Sequence, residues 1–287
     1  LDTPGEARDV ILSGKYLYVA DWGTGVVVMD VSNPLSPRQV GSIQTEGKAQ
    51  ALYLDGDRLY VTEYRGQDAP DAVTMLSLAD AAHPRRLGEY SYQDVDYGNA
   101  TLKDVTVQEG FMYALTSSIS RGGTYLLVVD VHDPASPRLV TRYERPSVDW
   151  TDWTQLDSLA VVGNYAYIGA YPFPVRVLTA TPPPRTQGVL VLDISDPKAI
   201  KEVGRVESLV PERMVLAAGR LYATDGAHVA MFDVSEPSQP QLIDLWDETN
   251  NISSLQVAGG FVYLTRGYDS SYPSQLAGLM VLGEPSN

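Results

Sequence analysis

A tyrosine in a short β-rich run recurs six times along this chain: "KYLYVAD" at Tyr18, "DRLYVTE" at Tyr60, "GFMYALT" at Tyr113, "NYAYIGA" at Tyr167, "GRLYATD" at Tyr222 and "GFVYLTR" at Tyr263. The spacing of 41 to 55 residues exceeds a solenoid coil of about 20 to 30 and suits a four-stranded β-propeller blade. Ahead of each tyrosine an alternating stretch such as "DVILSG" or "DVTVQEG" closes on a Gly-containing turn, which predicts a tight hairpin of strands A and B. After it come a connection of variable length and an apolar strand C, closed by Asp30, Asp130, Asp193 and Asp233 in four repeats. A Pro-rich turn such as "VSNPLSP" then leads into a short strand D, as in "RQVGSIQ". No window carries sustained 3.6-residue periodicity with caps, so helix is expected to be nearly absent.

The expected fold is therefore all-β: a single six-bladed β-propeller domain over residues 1–287 with four-stranded antiparallel blades near 7–47, 48–95, 100–146, 152–207, 210–248 and 251–287. The sixth blade is expected to be incomplete, because the sequence stops at "GEPSN" where its strand D would begin. Either residues ahead of Leu1 supply that strand, or an edge near Gly278 to Leu282 stays open to strand addition by a partner.

Strand C reading "LLVVD" or "LVLD", followed by "VSNP" or "ISDP" turns, resembles the LVIVD repeat family over about residues 7 to 285. The resemblance implies a secreted or surface-exposed bacterial or archaeal protein, and it brings no catalytic residues. Two repeats depart from the pattern: Ser77 replaces Asp in the second, and the sixth ("GLMVLGEPSN") has no Asp at that place. The recurrent Asp is read as the acceptor of an Asx turn rather than a metal or catalytic ligand. The recurrent Tyr is read as packing between blades, its hydroxyl on a polar partner.

Composition narrows the function. With 36 acidic and 21 basic residues the net charge is −15, which opposes binding to a phosphate backbone or an anionic bilayer, so no nucleic-acid partner and no direct membrane insertion are expected. No apolar run approaches the roughly 20 residues of a spanning helix, and the chain is expected to be soluble. The absence of Cys removes thiol chemistry, disulfides and Cys-ligated zinc while leaving the compartment open.

Binding residues are expected on the face where the D–A and B–C connections emerge, because length variation concentrates there. All four tryptophans, Trp22, Trp150, Trp153 and Trp246, are assigned to it, with Tyr64, Arg65, Tyr171, Arg266 and Tyr268 beside them. Such side chains carry most interface energy. Strand A begins with polar groups, among them Arg8, Asp9, Lys103, Asp104, Asp157, Glu212 and Arg213, which would line a channel mouth. No catalytic residues are assigned, since no nucleophile elbow, zinc-helix or P-loop motif occurs and the three His fall far apart. No metal or other cofactor is expected; Asp94, Asp96 and Asn99 form a weak calcium candidate.

The leading reading is a non-enzymatic binding or scaffold propeller, extracellular, at the cell surface or periplasmic, that holds a protein partner in a larger surface assembly. The alternatives are a carbohydrate-binding or carbohydrate-active propeller using two channel-mouth carboxylates and a calcium-dependent lactonase-like hydrolase.

Overall fold

A computed structural model describes residues 3–66, 69–91, 93–94, 98–118, 124–144, 154–172, 188–207, 209, 211–247, 252–258, 260–266 and 278–283. Two compact units, Leu1–Glu144 and Arg145–Asn287, hold three sheets each. In the first unit, β1 (Ala7–Ser13), β2 (Tyr16–Asp21), β3 (Gly25–Asp30) and β4 (Arg38–Ile43) form the first blade. The second blade consists of β5 (Lys48–Asp55), β6 (Arg58–Tyr64), β7 (Ala72–Ser77) and β8 (Arg85–Ser91). The third contains β9 (Gln93–Asp94), β10 (Gly98–Gln108), β11 (Phe111–Ser118), β12 (Thr124–Asp130) and β13 (Arg138–Glu144).

In the second unit, the fourth blade is β14 (Thr154–Val162), β15 (Tyr165–Pro172), β16 (Gly188–Asp193) and β17 (Lys201–Val206). The fifth is β18 (Arg213–Ala217), β19 (Arg220–Thr224), β20 (His228–Asp233) and β21 (Gln241–Asp247). The sixth is β22 (Ile252–Ala258), β23 (Phe261–Arg266) and β24 (Gly278–Gly283). Neighbouring strands are antiparallel and consecutive throughout. The fold class is thus an all-β six-bladed propeller, and its sixth blade has three strands among the described residues. No helix among them is long and apolar enough to cross a membrane. The short β9, which the sequence pattern does not predict, pairs Asp94 with Gly98 and widens the third blade to five strands.

Strands B and C read as nearly continuous apolar runs because blade packs on blade within each unit. Tyr18, Val26 and Val28 pack on Leu52, Leu59 and Leu76 of the second blade, while Tyr60, Val73 and Met75 pack on Met112, Leu127 and Val129 of the third. In the second unit Tyr167 and Val191 meet Leu221 and Phe232, and Tyr222 and Met231 meet Leu255 and Val262. Tyr18, Tyr60, Tyr167 and Tyr222 are fully buried, each large side chain stabilising the fold by roughly 1.5–3 kcal/mol. The hydroxyl of Tyr18 donates to Ala81 O at 2.8 Å and that of Tyr167 to Pro237 O at 3.3 Å, in each case on the C–D turn of the next blade.

Those C–D turns are built as the recurrent Asp predicts. The N–H groups of Ser32, His132, Ser195 and Ser235 donate to Asp30, Asp130, Asp193 and Asp233 at 2.8, 3.0, 2.9 and 2.7 Å. In the second blade Ser77 replaces Asp and its hydroxyl oxygen accepts the Ala79 N–H at 3.2 Å. In three places the preceding blade presses a strand D glycine against such a turn. A Cβ on Gly41 would lie 2.1 Å from Ala82 O, on Gly88 1.8 Å from Pro134 O, and on Gly204 1.9 Å from Ser238 O. These three strand Ds therefore need glycine at that place for steric reasons.

Candidate functional site

Strand A is irregular where it begins. Its register to strand B slips between Ala7 and Asp9, Ala49 and Ala51, Leu102 and Asp104, Leu156 and Ser158, and Ile252 and Ser254. The extra residue in these bulges is Arg8, Gln50, Lys103, Asp157 or Ser253, and a bulge re-aims the side chain it carries. The fifth blade pairs Arg213 with Thr224 and has no such slip. In the first unit the bulges thus carry basic or neutral residues; in the second, an acid and a serine.

Around the first bulge the first unit assembles an aromatic and cationic cluster. Trp22 sits in the turn after β2, its backbone N–H donating to Glu6 O at 2.9 Å. Its ring stacks on Tyr64, the last residue of β6, with centroids 5.7 Å apart and planes 13° from parallel. The Arg8 guanidinium lies 4.5 Å and the Lys48 ammonium 5.1 Å from the Trp22 ring centre. Lys48 faces Tyr64 across the β5–β6 register. Cation–π contacts of this kind contribute about 0.5–1 kcal/mol each at exposed sites. Trp22, Tyr64 and Arg8 are sequence candidates brought together; Lys48 is an addition, visible in sequence only as the residue that opens the second strand A.

Arg65 has a different place. Its guanidinium forks onto Glu89 at 2.9 and 2.6 Å and reaches Glu63 at 3.2 Å, while Arg86 holds Glu89 at 2.5 Å and Glu46 at 2.7 Å. Glu63 is fully buried, and the Arg65 guanidinium is held even more firmly protonated than usual by Glu89, against the cost of burial. This network belongs to the scaffold. Two further buried acids tie connections down. Asp21 accepts the Gly5 N–H at 2.9 Å. Asp71 accepts those of Arg65 and Leu102, both at 3.0 Å, and burial pushes its carboxyl above the ordinary range. Sequence reasoning missed Asp21, Glu63 and Asp71, whose signal is an acid at the end of an apolar strand B or, for Asp71, just ahead of an apolar strand C.

Asp9 and Asp104 likewise join blades. Asp9 accepts the Leu52 N–H of the second blade at 2.8 Å. Asp104 accepts the Tyr53 hydroxyl at 2.7 Å and its neighbour Val105 N–H at 2.9 Å. Burial and the Asp104 carboxylate push the Tyr53 phenol well above its ordinary value.

In the second unit, burial followed by the charges of Asp157 and Asp225 raises the Glu212 carboxyl above its usual range, against the pull of Arg213. His228 places one ring nitrogen 2.8 Å from Asp225 and the other 3.6 Å from Asp247, and Asp225 raises the imidazole above its ordinary value. Trp246 corrects the sequence expectation. It lies within β21, opposite Val229, and packs on the core of the fifth and sixth blades instead of standing in a loop. Tyr171 and Arg266 are the positions opposite Gln155 and Ile252 in β15 and β23. Trp150, Trp153 and Tyr268 lie outside the described residues, as does Asp96; Asp94 and Asn99 fall in β9 and β10. Among the described residues no three His, Asp or Glu side chains converge to hold a metal ion.

The LVIVD repeat matches residues 4–45, 98–145, 155–171 and 185–208, which take in most of the first, third and fourth blades. The chain carries LVIVD repeats in these three blades. The second repeat of this LVIVD-repeat chain, with Ser77 for Asp, falls outside the match, as do the fifth and sixth. No curated protein matches the sequence. Solved structures with similar folds include a protein from Lactobacillus plantarum (12% identity, 97% of this chain and 85% of that one, TM-score 0.66). A hypothetical selenium-binding protein from Sulfolobus tokodaii is similar at 13% identity over 94% of this chain and 72% of that one, TM-score 0.64. A periplasmic gluconolactonase from Pseudomonas aeruginosa is similar at 12% identity over 97% of this chain and 89% of that one, TM-score 0.62. At such identities the likeness is one of fold alone.

Proposed function

We propose that this LVIVD-repeat chain is a non-enzymatic binding module, placed outside the cytoplasm, that holds a protein partner by an acidic segment laid across Arg8 and Lys48. The observation that carries the reading is the Trp22–Tyr64 stack with both cations against it. The rings hold two flexible cationic side chains in place, so less rotamer entropy is lost on binding. On a chain of net charge −15, two clustered cations select for an anionic segment and steer its approach. The extracytoplasmic setting follows the expectation attached to LVIVD repeats.

The test is affinity capture from the native source with the wild-type chain and with Arg8→Glu and Lys48→Glu, followed by cell fractionation. A stoichiometric partner that is lost with either substitution at unchanged melting temperature, and released by salt, supports the reading. A captured set indifferent to both substitutions overturns it.

A second reading, carbohydrate hydrolysis, draws on Glu212. A carboxyl whose pKa is raised by burial and by neighbouring carboxylates has the character of a glycosidase general acid. Release of reducing ends from a polysaccharide panel, abolished by Glu212→Gln, supports it; no turnover retires it. The name of the gluconolactonase belongs to that protein, and no observation among the described residues favours calcium-dependent lactonase chemistry here.

A further inference from the structure

Between the first and second blades of the first unit, away from the Trp22 cluster in its lining, lies a cleft of about 230 Å³ bounded by Ile43, Gln44, Glu46, Thr74, Leu76 and Arg86, with Thr45 at its edge. We infer that this cleft is a binding site for one neutral polyhydroxylated unit, a sugar ring or a polyol of similar size.

The volume is that of about seven waters, at roughly 30 Å³ each, so only a small ligand fits. Thr74, on β7, is 3% exposed and lines the cleft. A hydroxyl that borders a cleft is a donor and acceptor that a ligand or water can satisfy.

Charge decides the ligand's class. Glu46, Glu63 and Glu89 outnumber Arg65 and Arg86 in the adjoining network, so a free anion is repelled. A cationic ligand would have to displace guanidinium groups already bonded to Glu46 and Glu89 at 2.7 and 2.5 Å. A purely apolar ligand would leave the polar groups of Thr74, Gln44 and Arg86 unmatched. A neutral polyol offers donors and acceptors to Gln44, Glu46 and Arg86, and the carbon-bound face of a sugar ring suits Ile43 and Leu76.

The experiment titrates the full chain by calorimetry and saturation-transfer NMR with glucose, galactose, mannose, N-acetylglucosamine and glycerol, each to tens of millimolar, and with inorganic phosphate as the anionic probe. At least one neutral probe is expected to bind. Thr74→Val, which keeps the shape and removes the hydroxyl, and Gln44→Ala, which alters only an exposed residue, should each weaken it about tenfold, the effect of one lost hydrogen bond. Trp22→Ala should leave it unchanged, which separates this site from the proposed partner surface. No binding by any neutral probe, binding by phosphate alone, or neutral binding insensitive to both cleft substitutions would each overturn the assignment.

Discussion

Tyr53 in the second blade donates a 2.7 Å hydrogen bond to Asp104 in the third, turning an acid that sequence places at a channel mouth into a joint between sheets. Tyr53→Phe removes one bond to a charged acceptor and is expected to cost about 1.5–3 kcal/mol. Asp104→Asn weakens the same joint, so the double variant should lose less than the sum of the singles. A urea double-mutant cycle measures this, and strictly additive losses would show that the two side chains act independently.

Arg65 gives a second test of site against scaffold. Arg65→Ala leaves Glu63 buried with one fewer cation and is expected to destabilise by about 3–5 kcal/mol. Arg65→Lys should recover little of it, because an ammonium cannot reproduce the fork onto Glu89. Chemical denaturation reads both. A large loss of partner capture by Arg65→Lys without loss of stability would return Arg65 to the recognition surface.

The six-part architecture was legible because each blade repeats a local grammar. The Asx acceptors at Asp30, Asp130, Asp193 and Asp233 act within two residues, and alternation of apolar residues marks which strands are buried. Contacts between blades were not legible in the same way. The bonds from Leu52 to Asp9 and from Tyr53 to Asp104 depend on how one sheet is set against the next, which hydrophobic alternation does not encode. For the same reason Trp246 read as a loop residue although it packs into β21. The glycines of "VGSI", "LGEY" and "VGRV" were a signal left unused, since an isolated glycine inside a strand marks a close backbone approach.

That approach yields a steric prediction. Gly88→Ala puts a methyl group 1.8 Å from Pro134 O, a contact only a shift of the blade can relieve, and should cost about 1–3 kcal/mol as overpacking does. Gly23→Ala meets nothing within 4 Å and has no positive φ, so it should stay within about 0.5 kcal/mol of wild type. Thermal melts of the two variants decide it. Equal melting temperatures would mean that the blades slide freely against one another.

Two A–B turns store strain that can be released. Glu109 and Gly110 (φ 51° and 76°) and Ala218 and Gly219 (φ 50° and 73°) are left-handed pairs, the signature of a type I′ hairpin. A non-glycine residue costs about 1–2 kcal/mol in that region, while glycine adds about 0.5–1 kcal/mol of chain entropy. Ala218→Gly is therefore expected to raise stability by up to about 1 kcal/mol, and Gly219→Ala to lower it. A reduced melting temperature for Ala218→Gly would show that the alanine methyl group contributes packing.

Stability should depend on pH from two directions. Hydrogen bonds from Ser32 at Asp30, from the His132 side chain and N–H at Asp130, from Ser195 at Asp193 and from Ser235 at Asp233 hold these carboxyls below their ordinary 3.8. Their stabilisation is complete above 3.8 and is lost as pH falls through the lower folded values. Asp71 and Glu212 are raised from 3.8 and 4.5 and act the other way, softening the acid limb. His228 is raised above 6.5 by Asp225, so its contribution is complete below 6.5 and declines as pH rises through its folded value. His228→Asn should flatten the decline above about pH 6.5 while leaving the loss below about pH 4 in place. Melting temperatures across that range, with and without the substitution, make the comparison; an unchanged alkaline slope would mean that the imidazole forms no tie between Asp225 and Asp247.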